Sequence, residues 1–195
     1  MITIIDYNSG NLASVQNALK KLGFKSEISN DPKKISKASR IIFPGVGRAS
    51  FAMEQLNKMQ LDQIIKNSKV PFLGICLGLQ LLADNSEEDK SNCLSIIPGN
   101  VKRFSNILPV PQIGWNKISI QQESSLFQDI PDQSYFYFVN SYFYQGRSEY
   151  ILSTTSYGNE FASAIQKENF YATQFHPEKS GTIGLQLLNN FCKLC

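Results

Sequence analysis

"PFLGICLGLQLLAD", residues 71–84, carries an apolar strand into a helix through a cysteine that stands between two glycines, Gly74 and Gly78. Glycine weakens a buried strand, because it packs nothing and loses more conformational freedom on folding than any other residue. Something other than packing is therefore expected to require glycine at these positions. Residues 70–75 read as a strand and 77–83 as a helix, and the same alternation extends toward the amino terminus. Residues 2–5 form a short apolar run ending at Asp6, followed by the loop "YNSGN" and by Leu12, Val15, Ala18, Leu19 and Leu22 at helical spacing, stopped by Gly23. Residues 24–29 and 40–43 ("RIIF") read as further strands, the latter buried on both faces because it does not alternate. "PGVG", 44–47, reads as a loop, and 51–65 repeat apolar residues at helical spacing.

Strands alternating with helices predict a mostly parallel sheet flanked by helices, with ligands outside the carboxyl ends of the strands. Both glycine-bearing segments, "PGVG" and "GICLG", fall there. Beyond residue 85 the character changes. "NSEEDKSN", 85–92, is a polar loop; "VKRFS", "WNKISI" and "SYFYFVNSYFYQG" are short β-prone runs. Residues 161–166 and 170–174 flank "KEN" as a hairpin, and a closing helix covers 182–191. With no repeat, low-complexity tract or long linker, residues 1–195 read as a single α/β domain with β-rich additions in the second half.

The composition is that of a globular chain: 195 residues, 42% hydrophobic, 18% charged, formal charge +3. Its basic pairs are scattered, which argues against nucleic acid as a partner. The longest apolar stretch, 70–82, is broken by proline, glycine and glutamine and is too short to span a bilayer. "MITIIDY" lacks a cationic leader and a cleavage site, so cytoplasm is the expected location and Cys76, Cys93, Cys192 and Cys195 are expected as reduced thiols. Cys192 and Cys195 form a C-x-x-C pair, but no second pair or histidine cluster completes a tetrahedral metal site. No metal is expected at this pair.

A nucleophile on a sharp strand-to-helix turn is held clear of the sheet, and small residues two before and two after it let backbone pack closely. Gly74-Ile75-Cys76-Leu77-Gly78 has that spacing with sulfur as the nucleophile. The following helix would direct its amino terminus at the thiol and favour thiolate, and the N–H of Leu77 would face an oxyanion. The chain has one histidine, His176, in "QFHPEKS". Pro177 keeps it extended, and residues two apart in an extended segment point the same way, so Glu178 would stand beside the imidazole. Nucleophile, base and orienting carboxylate can thus come from two strand ends. "FPGVG", with Gly45 and Gly47, suits a second oxyanion donor and close backbone approach to a small substrate.

"FPGVG", "GICLGLQ" and "QFHPEKS", in this order and separation, resemble the class I, triad-type glutamine amidotransferases of flavodoxin-like fold. "DYNSGNLASV", "GWN" (114–116) and "YFVNSY" (137–142) narrow the resemblance to the glutaminase subunits of imidazole glycerol phosphate synthases, over essentially the whole chain. The resemblance implies L-glutamine as substrate, Cys76 as nucleophile, His176 as base and then acid, and Glu178 as its orienter. It also implies an oxyanion hole from Leu77 and the Val46-Gly47 peptide, with substrate contacts at Gly45, Gln80, Glu88, Ser141 and Tyr142. Its partner would be a (β/α)₈-barrel cyclase subunit in a heterodimer, through which ammonia reaches a histidine-pathway intermediate.

Two positions depart from the family pattern: Gln112 in "PQIGWN" and Asn140 in "FVNSY" stand where histidine is common. Neither touches the triad, but both put the ammonia acceptor in doubt, since diverged copies serve nucleotide-linked sugars. A non-catalytic scaffold, a thiol-redox sensor and a cysteine peptidase of related fold are rival readings. The intact Cys76, His176 and Glu178 speak against a scaffold, and a redox sensor would not need "HPE".

Overall fold

The computed structural model describes residues 1–105 and 107–195. Its first half runs β1 (Ile2–Ile5), α1 (Leu12–Lys21), β2 (Ser26–Ser29), α2 (Pro32–Ile35), β3 (Arg40–Gly45), α3 (Ala49–Lys58), α4 (Asp62–Lys66), β4 (Phe72–Cys76) and α5 (Leu77–Leu81). The second half contributes β5 (Asn85–Ser86), β6 (Ser91–Asn92), β7 (Gly99–Arg103), β8 (Gln112–Lys117), β9 (Ser119–Ile120), β10 (Tyr135–Asn140) and β11 (Tyr142–Gly146). β12 (Ile151–Tyr157), β13 (Asn159–Lys167), β14 (Phe170–Thr173) and α6 (Gly181–Lys193) complete it.

The main sheet is ordered β2-β1-β3-β4-β14-β13-β11-β7-β5-β6, and its first five strands are parallel. From β14 onward the neighbours β13, β11 and β7 are antiparallel. This mixed sheet with helices on its parallel half is the architecture the sequence predicts. β14 is the junction: it enters last in the chain, pairs in parallel with β4, and so sets the segment after residue 173 beside the end of β4.

Successive residues of the buried strands feed opposite faces, as the pleat demands. Ile4, Ile42 and Leu73 join one core with Val15 and Leu19 of α1 and Leu187 and Leu188 of α6. Ile5, Ile41, Phe43 and Phe72 join the other with Leu56 of α3 and Leu79 of α5. Each such side chain contributes about 1.5–3 kcal/mol when fully buried, which outweighs the roughly 1 kcal/mol that a strand glycine costs. The sheet can therefore carry Gly74 and Gly45 in its centre.

Several predicted boundaries shift. Pro44 and Gly45 belong to β3 rather than to a loop, opposite Ile75 and Cys76 of β4. β1 stops pairing with β3 at Ile42, so the proline sits where the strand is locally an edge. The single helix expected over 51–65 is two, because Gln60 turns left-handed at φ 58° and the Leu61 N–H closes onto the Leu56 carbonyl. The "polar loop" 85–92 holds two short strands around a 3₁₀ turn at Glu88–Lys90. "SYFYFVNSYFYQG" breaks at Ser141: β10 leaves the main sheet to pair with β8, while β11 stays in it. The hairpin around residues 167–169 forms as read.

Candidate active site

Cys76 ends β4 and opens α5 with φ 56° and ψ −108°, a backbone region that non-glycine residues rarely occupy. The corner is tight because backbone meets backbone. A Cβ on Gly78 would lie 1.9 Å from the Phe43 carbonyl oxygen, and one on Gly74 would lie 2.8 Å from the Gly78 oxygen. The two flanking glycines are thus required by close approach, which lets α5 lean over the strand ends with Cys76 at its head.

His176 follows β14 in extended conformation, its N–H donating to the Tyr137 carbonyl at 2.9 Å. Glu178 reaches it differently from the extended alternation expected from sequence: residues Pro177–Lys179 form a 3₁₀ turn. That turn sets Glu178 Oε1 2.8 Å from His176 Nδ1, with both side chains buried. The Ser180 hydroxyl donates to the His176 carbonyl at 2.7 Å and accepts from the Tyr137 N–H at 3.0 Å, tying the turn to β10. Glu178 Oε2 is buried without a hydrogen-bond partner among the described residues.

Burial works to lower the His176 pKa, but the Cys76 sulfur, by charge and by hydrogen bond, and the Glu178 carboxylate outweigh it and push it up to about 10. At neutral pH the proton therefore rests on the imidazole, facing the sulfur. The Cys76 thiol has two further neighbours, the Val139 carbonyl and the Gln174 side-chain nitrogen, each 3.7 Å from Sγ.

Cys76 and His176 share a cleft of about 280 Å³, of the size a small polar ligand fills. Of the residues singled out from sequence, Val46, Gly47, Leu77, Gln80, Glu88, Ser141 and Tyr142 also line it. Gly45 does not; it lies buried beneath, opposite Cys76 in the β3–β4 ladder. Gln80 Nε2 donates to the Tyr142 carbonyl at 3.0 Å and to Gln174 Oε1 at 3.1 Å. Glu88 Oε2 accepts the Ala49 N–H at 2.8 Å, and burial raises its pKa against that bond. Gly47 has φ 98°, and the exposed Val46 gives its carbonyl to the Ser9 hydroxyl.

Sequence reasoning did not single out Pro111, Val139 and Lys179, which line the cleft, nor Gln174 and Ser9, which hold site atoms in place. The alternation polar–apolar–polar in "QFH" was the available signal for Gln174. Gln112 and Asn140 stand opposite each other across β8 and β10, both buried, and the side-chain oxygen of each lacks a partner among the described residues. Among those residues no group of three or more His, Cys, Asp or Glu could hold a metal ion, and no helix is long and apolar enough to cross a membrane.

Residues 3–195 match the family model described as glutamine amidotransferase class-I. A protein of Methanocaldococcus jannaschii named imidazole glycerol phosphate synthase subunit HisH is 47% identical, covering the whole of both chains. One of the same name from Maridesulfovibrio salexigens is 45% identical over all of this chain and 97% of its own. Among solved structures, one titled glutamine amidotransferase superposes with TM-score 0.76 at 16% identity over 98% of this chain and 97% of its own. Thermotoga maritima PurLQS superposes with TM-score 0.74 at 15% identity over 98% and 96%. At that identity these two speak for the fold alone. With the family model spanning nearly every residue and relatives of such identity end to end, the chain belongs to the class I glutamine amidotransferases.

Proposed function

We propose that this chain is the glutaminase subunit of an imidazole glycerol phosphate synthase, releasing ammonia from L-glutamine for a (β/α)₈-barrel cyclase in histidine biosynthesis. The observation that carries the reading is that Cys76 and His176 line one cleft with Glu178 Oε1 2.8 Å from the imidazole Nδ1. Cys76 sulfur attacks the side-chain amide carbon, forming the C–S bond and an oxyanion that meets the Leu77 N–H and the Val46-Gly47 peptide. The C–N bond then breaks as His176 gives its proton to the leaving nitrogen, so ammonia departs and a thioester remains on Cys76. His176 next takes a proton from water, whose oxygen attacks the thioester; glutamate leaves and the sulfur is regenerated. Glu178 holds the imidazole in the tautomer and orientation that both steps use. Gln80, Glu88 and the main chain of Ser141 and Tyr142 serve the amino-acid end of the substrate. No cofactor enters this chemistry.

The partner surface is read from the β8–β10 ribbon. Its register sets Ile113, Trp115, Tyr135, Tyr137 and Val139 on one pleat face. Ile113 is 65% exposed, Trp115 54% and Tyr135 52%, an apolar patch of the kind that marks an interface. Because Val139 lines the cleft, a barrel docked on this face would receive ammonia beside the site of its release. The names of the two relatives favour the histidine pathway over a nucleotide-sugar acceptor. We place the chain in the cytoplasm, where its four free cysteines stay reduced.

The test is glutamate release by the chain together with a histidine-pathway barrel cyclase, alongside covalent labelling with a glutamine-mimicking diazoketone. Labelling confined to Cys76, blocked by excess glutamine and lost in His176→Asn, is the expected result. A Cys76→Ala protein that forms glutamate at the parental rate would sink the reading.

A further inference from the structure

Gln174 is fully buried and stands two residues before His176 in the extended segment after β14. Phe175, between them, turns the other way and stacks on Phe136 with ring centroids 4.1 Å apart. The alternation sends Gln174 and His176 to the same side, and both reach Cys76; Gln174 Nε2 lies 3.7 Å from Sγ. Which end of that amide faces the sulfur is set by a chain of hydrogen bonds rooted in the backbone. The Tyr142 carbonyl can only accept, so Gln80, 3.0 Å away, must present it with nitrogen. The same nitrogen lies 3.1 Å from Gln174 Oε1. Gln174 therefore shows its oxygen to Gln80 and its N–H to the sulfur.

We infer that Gln174 is a further catalytic residue, whose N–H holds the negative charge of the attacking sulfur while Gln80 and the Tyr142 carbonyl keep that donor aimed. The inference rests on the glutaminase reading of the site. The two states of the sulfur meet these neighbours differently. As a thiol, Cys76 donates to the Val139 carbonyl at 3.7 Å. As a thiolate it can only accept, the Val139 oxygen turns repulsive, and the donors left are Gln174 and protonated His176. A donor that serves the charged form alone shifts the balance toward that form.

Iodoacetamide alkylation of Cys76, followed against pH by peptide mass, reads the thiolate fraction without any need for glutamine hydrolysis. Gln174→Met keeps the volume and removes the donor, and the alkylation midpoint is expected to rise by about one pH unit or more, the size of a hydrogen bond to a charged group. Glutamine kcat, measured with the cyclase, is expected to fall at least about tenfold with KM little changed. Gln174→Glu keeps the oxygen that Gln80 uses and turns a second oxygen on the sulfur, so its midpoint should rise further than that of Gln174→Met. In the unsubstituted protein, the side-chain amide protons of Gln174 should shift in NMR spectra with the same midpoint as alkylation, which tests the contact without a variant. A folded variant with the parental midpoint, or amide signals that ignore the titration, would overturn the inference. If the parent alkylates and shifts as described but releases no glutamate with its cyclase, the glutaminase reading fails and the Gln174 contact stands.

Discussion

Gly78→Ala tests whether the nucleophile is held by the approach of α5 to β3. The new Cβ would sit 1.9 Å from the Phe43 carbonyl oxygen and 3.1 Å from its carbon. Both neighbours are main chain in the middle of the sheet, so no rotamer change relieves the contact. Carbon and oxygen settle near 3.4 Å or beyond, so the helix must retreat by about 1.5 Å. Overpacking of this kind costs about 1–3 kcal/mol of stability. The retreat also carries Cys76, the Leu77 N–H and Gln80 with it, and a misplacement of about 1 Å at the reacting atoms costs about 100-fold in rate. Urea unfolding should show the loss in stability with far-UV circular dichroism unchanged, and kcat/KM for glutamine, measured with the barrel subunit, should drop about 100-fold. Gly23→Ala serves as the control: its φ is +82° but a Cβ meets nothing within 4 Å, so it should cost stability and leave kcat/KM alone. A Gly78→Ala protein with parental stability and turnover would refute the argument that backbone contact sets the position of the sulfur.

Two further outcomes follow from the His176–Glu178 pair. Glu178→Gln keeps the volume and removes the charge that helps hold a proton on His176. Glutamine turnover should fall about 10²–10⁴-fold, and the alkaline limb of its pH profile should move toward lower pH; an unmoved limb would mean that Glu178 does not act on the imidazole. Folding raises the His176 pKa from 6.5 to about 10, so the folded state keeps a proton that the unfolded chain gives up across that interval. The stabilisation is present below pH 6.5 and drains away as pH climbs through 10. Unfolding free energies at pH 7 and pH 10 should show that loss, and His176→Asn should flatten it.

The fold was legible where one physical cause dominated. β1, β3 and β4 read as unbroken apolar runs because parallel strands are covered on both faces, and the glycine pair around Cys76 marked itself by being costly to a strand. Gln60 was not legible, since the apolar period continues across it: α3 and α4 pack on the same core, and nothing in "KMQLD" punctuates the chain. Pro44 looked like a loop because a proline in a central strand is rare; only the register, with β1 ending its pairing at Ile42, makes it admissible. At the site, His176 and Glu178 could be paired from spacing alone, yet the geometry assumed for them was wrong, and a 3₁₀ turn does the work of an extended strand. Gln174 stayed hidden because the alternation in "QFH" puts it on the same side as His176 without saying what it touches there; its part is visible only once Gln80, ninety-four residues away in sequence, lies against it.

The buried carboxylate under His176 has a bearing on control. Glu178 and its imidazole are locked in the interior, 1% and 4% exposed at the side chain, whereas Val46 across the cleft is 44% open to solvent and its peptide hangs from one serine hydroxyl. A docking protein can push on the second arrangement and scarcely on the first. On the proposed mechanism, proton transfer would be ready in the subunit alone, and a partner's signal would be delivered through the Val46-Gly47 wall.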